Sequence, residues 1–151
     1  MGLKNKIIYT AGSYDLFHFG HMNILLKAKK MGSKLIVGVS TDALISRYKA
    51  LKPIICYGDR VAIIKELKCV DKVIKQERFF DIKQLRQHHI DIIVLGDDWK
   101  NKSFPELEKC LIELNIKIVY VPYTKRLSTS KIKEKIIRNA VQIIRAQSER
   151  K

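Results

Sequence analysis

The chain has 151 residues, and its 30 Lys+Arg against 15 Asp+Glu give a net charge of +15. That length suits a single domain over 1–151 burying about two-thirds of its unfolded surface. No apolar run approaches the ~20 residues of a membrane-spanning helix. Residues 1–6 lack the apolar stretch of a secretory signal, so a cytoplasmic location is expected. The three cysteines, Cys56, Cys69 and Cys110, are odd in number and widely spaced. They suit buried thiols better than a disulfide framework or a zinc site. The charge favours an anionic partner: a nucleotide triphosphate, a nucleic acid and an anionic membrane all qualify.

In chain order, Ile7-Ile8-Tyr9 predicts a buried strand over 6–10. A helix over 20–31 follows, with Ile24, Leu25, Ala28 and Met31 at helical spacing. A second strand is predicted over 35–40. Residues 44–57 mix basic side chains with Pro53 and read as a loop or broken helix. Residues 59–69 read as a helix with Asp59 as its N-cap. A short strand over 72–75 and a helix over 81–88 precede the continuous apolar run 91–96, typical of a strand buried on both faces. A helix over 104–114 has Pro105 in its first turn, a last strand covers 117–121, and a basic helix runs from about 128 to 147 with Ser128 as N-cap. Strands alternating with helices imply a parallel α/β sheet covered on both faces, which binds ligands beyond the carboxyl ends of its strands.

The segments richest in chemistry fall at those ends. Gly12-Ser13-Tyr14-Asp15-Leu16-Phe17-His18-Phe19-Gly20-His21 joins the first strand to the first helix. Unpaired N–H groups and the dipole at a helix start favour phosphate. Two imidazoles there can donate hydrogen bonds, and Gly20 lets the backbone approach a ligand. A metal pair would need a third ligand, and His88 and His89 lie elsewhere; ordinary capping histidines are the other reading. Asp97, Asp98 and Trp99 follow the buried fourth strand. Two adjacent carboxylates there could hold Mg²⁺ or a substrate hydroxyl, or simply cap a turn. Ser128, Thr129 and Ser130 stand at the last helix start, as an N-cap or as a second anion site.

The His18-Phe19-Gly20-His21 pattern resembles the HxGH signature of the cytidylyltransferase-like nucleotidyltransferases. Gly96-Asp97-Asp98-Trp99 and Leu127-Ser128-Thr129-Ser130-Lys131-Ile132-Lys133 resemble the GDDW and ISTTKIK segments of their glycerol-3-phosphate-using branch, in order and spacing from about residue 6 to 136. The resemblance implies a Rossmann-like fold and a homodimer. It also implies transfer of CMP from CTP, with Mg²⁺, to glycerol 3-phosphate in a pathway of wall or capsule polymers. It places His18, His21, Lys49 and Arg60 in catalysis, with Lys52 the competitor of Lys49. It places Gly12, Ser13, Tyr14, Gly20, Asp97, Ser128, Thr129 and Ser130 at the nucleotide, and Asp15, Lys68, Asp98, Trp99 and Arg126 on the substrate side. Asp15 would mainly order the turn. Lys68 and Tyr123 stand where the family pattern has arginines, and Arg126 stands where it has glycine. Lys125 or Arg126 could restore the lost charge.

The sister reading is another phospho-alcohol, such as choline or ethanolamine phosphate, or a sugar phosphate. Near Gly96–Trp99 the sequence offers one tryptophan, with Phe19 and Tyr123 able to approach in space. That disfavours a quaternary ammonium, which wants several aromatic faces. A nucleic-acid binder is the reading of a different class, and the chain lacks aromatic-rich basic clusters and binding motifs for it. From Tyr123 to Lys151 nine basic and two acidic residues add +7. The last helix carries Ile132, Ile136, Ile137, Ala140, Ile143 and Ile144 as an apolar stripe expected to dock on the sheet or a subunit partner. Contact of its basic opposite face with an anionic membrane surface is the lesser alternative.

Overall fold

The computed structural model describes residues 5–49 and 52–148. Five strands form one sheet: β1 (Ile7–Gly12), β2 (Lys34–Ser40), β3 (Lys72–Gln76), β4 (Ile92–Gly96) and β5 (Lys117–Val121). Their order is β3-β2-β1-β4-β5, and every pairing is parallel. The helices are α1 (Phe19–Lys29), α2 (Asp42–Tyr48), α3 (Tyr57–Lys65), α4 (Ile82–Gln87), α5 (Pro105–Leu114) and α6 (Thr129–Ser148). A single 3₁₀ turn, Asp97–Trp99, follows β4.

The alternation of side chains along each strand builds two cores. On one face Ile8, Val37, Val94 and Val121 meet Leu25 and Ala28 of α1 and Ile64 of α3. On the other, Tyr9, Ile36, Ile93 and Leu95 meet Leu85 of α4 and Leu107 of α5. β4 is buried at every position, as its continuous apolar sequence requires. The strand order reverses between β1 and β4. At that switch point the two outgoing connections part and leave a crevice at the carboxyl edge of the sheet.

Two local boundaries and the burial of one cysteine depart from the sequence reading. Residues 42–48 form a true helix, because Thr41 caps it by accepting the Leu44 N–H. Asp59 is not the cap of α3: the helix starts two residues earlier, with Cys56 at the N-cap position, and Asp59 lies in its first turn. Cys56 is exposed rather than buried, and its thiol contacts Asp59 Oδ2 at 3.2 Å. The Cys110 side chain, like Arg150 and Lys151, lies outside the described residues.

Candidate active site

The crevice at the switch point is a cavity of about 610 Å³. Its walls come from the ends of β1, β4 and β5, from the starts of α1 and α6, and from the end of α2. His18 is the N-cap of α1. Its backbone is extended, and its Nδ1 accepts the Gly20 N–H at 3.0 Å. The proton of the neutral ring is therefore on Nε2, available for donation. A side chain at 20 would displace the His18 ring: a Cβ would lie 2.7 Å from His18 Cε1 and 2.9 Å from Nδ1. The His18 and His21 rings stack at 3.9 Å, and Phe17 and Tyr14 pack on His21 from other sides. Burial lowers the His18 pKa. Burial, with help from His18 and Lys49, brings His21 down to about 3. Both imidazoles are neutral donors near neutral pH, and His21 Nδ1 is buried without a partner. Lys49, the residue after α2, closes this end of the cavity with Tyr48; burial, then the nearby Lys133, lowers its pKa.

The loop between β1 and α1 is conformationally costly. Tyr14 and Leu16 both take left-handed backbone angles, φ 52° and 48°, which non-glycine residues avoid. The buried Asp15 between them holds the loop. It accepts the Ile55 N–H at 2.9 Å and the Ile54 N–H at 3.0 Å, and pairs with Lys133 of α6 at 3.0 Å. Burial opposes a charge there, but these donors outweigh it and keep the carboxyl below its usual range. The Thr129 hydroxyl donates to the Asp15 carbonyl at 2.9 Å. Asn23 of α1 donates to Thr124 Oγ1 at 3.0 Å. The starts of α1 and α6 are thereby bound to each other across the crevice, and both helix N-termini, each favouring anions, lie at one cavity.

A cytidylyltransferase-like family model matches residues 9–139. The chain belongs to that family. It is 37% identical over 132 residues to glycerol-3-phosphate cytidylyltransferase of Bacillus subtilis (strain 168), an alignment covering 87% of this chain and 97% of that protein. It is 44% identical over 101 residues to the bifunctional protein HldE of Helicobacter pylori (strain ATCC 700392 / 26695), covering 66% of this chain but 22% of that one. Among solved structures, the lipopolysaccharide core biosynthesis protein of Thermoplasma volcanium GSS1 superposes with a TM-score of 0.65 at 31% identity, over 78% of this chain and 97% of that one.

This cytidylyltransferase-like chain brings Gly12, Ser13, Tyr14, His18, Gly20, His21, Lys49, Asp98, Trp99, Ser128, Thr129 and Ser130 to the cavity wall. Lys49, not the exposed Lys52, lines it. Besides Asp15, four expected residues lie off the cavity wall. Arg60 is fully buried beneath it, and its guanidinium donates to the carbonyls of Ile55, Ser13 and Ser40 and pairs with Asp42. Lys68 follows α3 and precedes β3, at the amino edge of the parallel sheet, so it stands at the opposite end from the cavity. Arg126 is exposed and does not line the cavity. Asp97 turns away to accept the Tyr123 N–H at 2.9 Å. The hydroxyl trio is also partly spent: Ser128 Oγ accepts the Lys131 N–H, and the Thr129 proton goes to Asp15.

The sequence reading missed an aromatic wall. Tyr48, Phe79, Trp99 and Phe104 line the cavity and pack in a row: Tyr48–Phe79 tilted at 4.9 Å, Phe79–Trp99 edge-to-face at 5.7 Å and Trp99–Phe104 stacked at 5.3 Å. Phe19 is exposed and takes no part. Lys102 Nζ lies 4.4 Å from the Trp99 ring centroid. The four rings come from four separate segments, so no local pattern announces them; the Phe79-Phe80 pair in an otherwise polar stretch was the available signal. Asp42, Thr124 and Lys133 were missed for the same reason.

Proposed function

We propose that the protein transfers CMP from CTP to glycerol 3-phosphate, releasing pyrophosphate and CDP-glycerol. The observation that carries this reading is one cavity holding two neutral, donor-ready imidazoles, Lys49 and two helix N-termini at its polar end. The glycerol-3-phosphate cytidylyltransferase relative, aligned over nearly its whole length, supplies the acceptor.

A phosphate monoester is ionised near neutral pH, so its oxygen attacks the α-phosphorus without a strong base. The pyrophosphate oxygen leaves with the bonding pair. Catalysis is then positioning and charge stabilisation. His18 donates from Nε2, and His21 lies stacked behind it. A bound polyanion opposes the burial that keeps both rings neutral and strengthens them as donors. Lys49 supplies a fixed positive charge. Asp98 is the carboxylate on the wall, suited to Mg²⁺ carried in on the triphosphate. Such an ion needs one or two carboxylates and water rather than a protein cage, and no trio of His, Cys, Asp or Glu clusters as a cage among the described residues. Bound there, Mg²⁺ would neutralise phosphate charge.

The aromatic wall of Tyr48, Phe79, Trp99 and Phe104 removes the sequence argument against a quaternary ammonium; what disfavours one is Lys102, which already covers Trp99. A quaternary ammonium acceptor would meet a like charge there, whereas an anionic phosphate would not. A sugar phosphate is the second reading, favoured by the similarity to a lipopolysaccharide core biosynthesis protein. The reading extends to a cytoplasmic homodimer, as the family resemblance implies. No helix among the described residues is long and apolar enough to cross a membrane. Direct competition tests the acceptor: equal glycerol 3-phosphate, choline phosphate, ethanolamine phosphate and a sugar-phosphate panel, with CTP and Mg²⁺, products resolved by mass. CDP-glycerol dominates if the reading is right. A CDP-sugar as main product replaces the acceptor, and no pyrophosphate release with any acceptor removes the activity.

A further inference from the structure

α6 is held to the protein with little packing. None of its side chains is buried, and from Glu134 to Ser148 every one is exposed. Apolar burial normally fixes where a helix lies; here polar contacts of the first turns do so. Thr129 and Lys133 stand four residues apart and share one face of the helix. Both grip the same residue. The Thr129 hydroxyl donates to the Asp15 carbonyl at 2.9 Å, and Lys133 Nζ pairs with the Asp15 carboxylate at 3.0 Å.

Asp15 is a junction as well as a partner. Its side chain is 3% exposed, against 26% for Lys133. Its carboxylate also accepts the N–H groups of Ile54 and Ile55, just ahead of α3. Its backbone lies between Tyr14 and Leu16, the two left-handed residues of the loop that leads to His18. One carboxylate therefore ties together the β1–α1 loop, the approach to α3 and the start of α6. A charge this buried is costly without its ion-pair partner, so the junction depends on the Lys133 ammonium.

Lys133 itself is no part of the cavity wall, which on this side is Ser128, Thr129 and Ser130. Lys133 and Asp15 act on Lys49 in opposite directions, the ammonium lowering its pKa and the carboxylate raising it. The pair thus adds little net field to the polar end, and its contribution is placement. Two helix N-termini address one phosphate chain, and a misplacement of about 1 Å in such a site costs up to ~10²-fold in rate.

We propose that Lys133 is a positioning residue for nucleotidyl transfer: through the Asp15 carboxylate it sets the start of α6 against the loop that carries His18. This rests on the cytidylyl-transfer reading above and adds a residue to it that touches no substrate.

The test is a double-mutant cycle on the full chain, following pyrophosphate release from CTP and glycerol 3-phosphate, with hydrogen–deuterium exchange as a second readout. Asp15→Asn keeps an oxygen for the Ile54 and Ile55 N–H groups and removes the ion pair. Lys133→Gln alone should lower kcat by roughly ten- to a hundredfold, with little change in KM for CTP. It should also speed exchange in residues 14–18 and 129–133. Lys133→Arg should restore most of the rate. Lys135→Gln, the same charge loss at an exposed site of α6, should change neither readout. In the Asp15→Asn background, Lys133→Gln should cost less than about twofold more. A full loss in that background, with a raised KM for CTP, means that Lys133 binds the nucleotide itself and overturns the proposal. Wild-type kcat in Lys133→Gln overturns it too, as does Lys133→Arg as impaired as Lys133→Gln. If wild type releases no pyrophosphate with any acceptor, the activity reading fails and exchange decides the placement. Faster exchange of both segments in Lys133→Gln, absent in Lys135→Gln, then retains it, and unchanged exchange overturns it.

Discussion

Replacing Arg60 by lysine decides between the role its sequence context implies and the one its geometry supports. Arg60 has no exposed surface, and its guanidinium joins four segments: Ser13 O at 2.5 Å, Ser40 O at 2.8 Å, Ile55 O at 2.9 Å and Asp42 Oδ1 at 2.5 Å. Lysine keeps the charge but not the planar fork, so its single ammonium cannot span all four acceptors. We expect two carbonyls to lose their donor. Each unsatisfied buried acceptor costs about 1–3 kcal/mol; allowing for relaxation, the loss is about 3 kcal/mol. For a chain of this size that lowers Tm by about 6–12 °C. The Ser13 carbonyl is also the tether of the loop carrying Tyr14 and Asp15, so kcat falls together with stability. The assay is thermal unfolding of both proteins, with steady-state kinetics well below the lower Tm. If Arg60→Lys melts within a degree of wild type while KM for CTP rises, the guanidinium touches the nucleotide and the buried-strut argument is wrong.

His21→Ala should lower kcat by roughly 10²–10³-fold, the scale of losing one preorganised donor, with the fold retained by circular dichroism; near-normal turnover removes the histidine pair from the chemistry. The folded state holds His21 neutral down to about pH 3 while the unfolded chain takes up a proton near 6.5. The unfolded state thus binds more protons between those values, and stability must fall as pH drops through that window. His21→Gln should flatten this slope in denaturant titrations at pH 4.5 and 7, and an unchanged slope would show that the ring already titrates normally in the folded protein. Lys68→Ala and Arg126→Ala should each leave kcat/KM for CTP within about two-fold of wild type, since neither side chain reaches the cavity; a tenfold loss in either would place it in the site.

The element pattern was legible locally. β4 is written as an unbroken apolar run and is buried at each position. Pro105 sits in the first turn of α5. Gly20 and His18 are neighbours whose hydrogen bond needs no distant partner, so the phosphate-binding turn could be read directly. Helix boundaries shifted where the deciding contact was a cap: Thr41 begins α2, and the chain enters α3 at Cys56 rather than Asp59.

What the sequence by itself determined is the alternation of strand and helix, hence the parallel sheet, and the identity of the residues at the carboxyl ends of β1, β4 and β5. What only tertiary structure decided is which charges face the cavity. Arg60, Lys68, Asp97 and Arg126 carry the right chemistry for an anionic substrate. Yet one is consumed by buried carbonyls, one lies at the wrong edge of the sheet, one is tied to the Tyr123 amide, and one points to solvent. The aromatic wall of Tyr48, Phe79, Trp99 and Phe104 went unread for the converse reason. Local sequence fixes the period of an element and its caps. The meeting of side chains from four separate segments depends on how the strands are ordered and on which helix covers which face, and no short-range pattern encodes that.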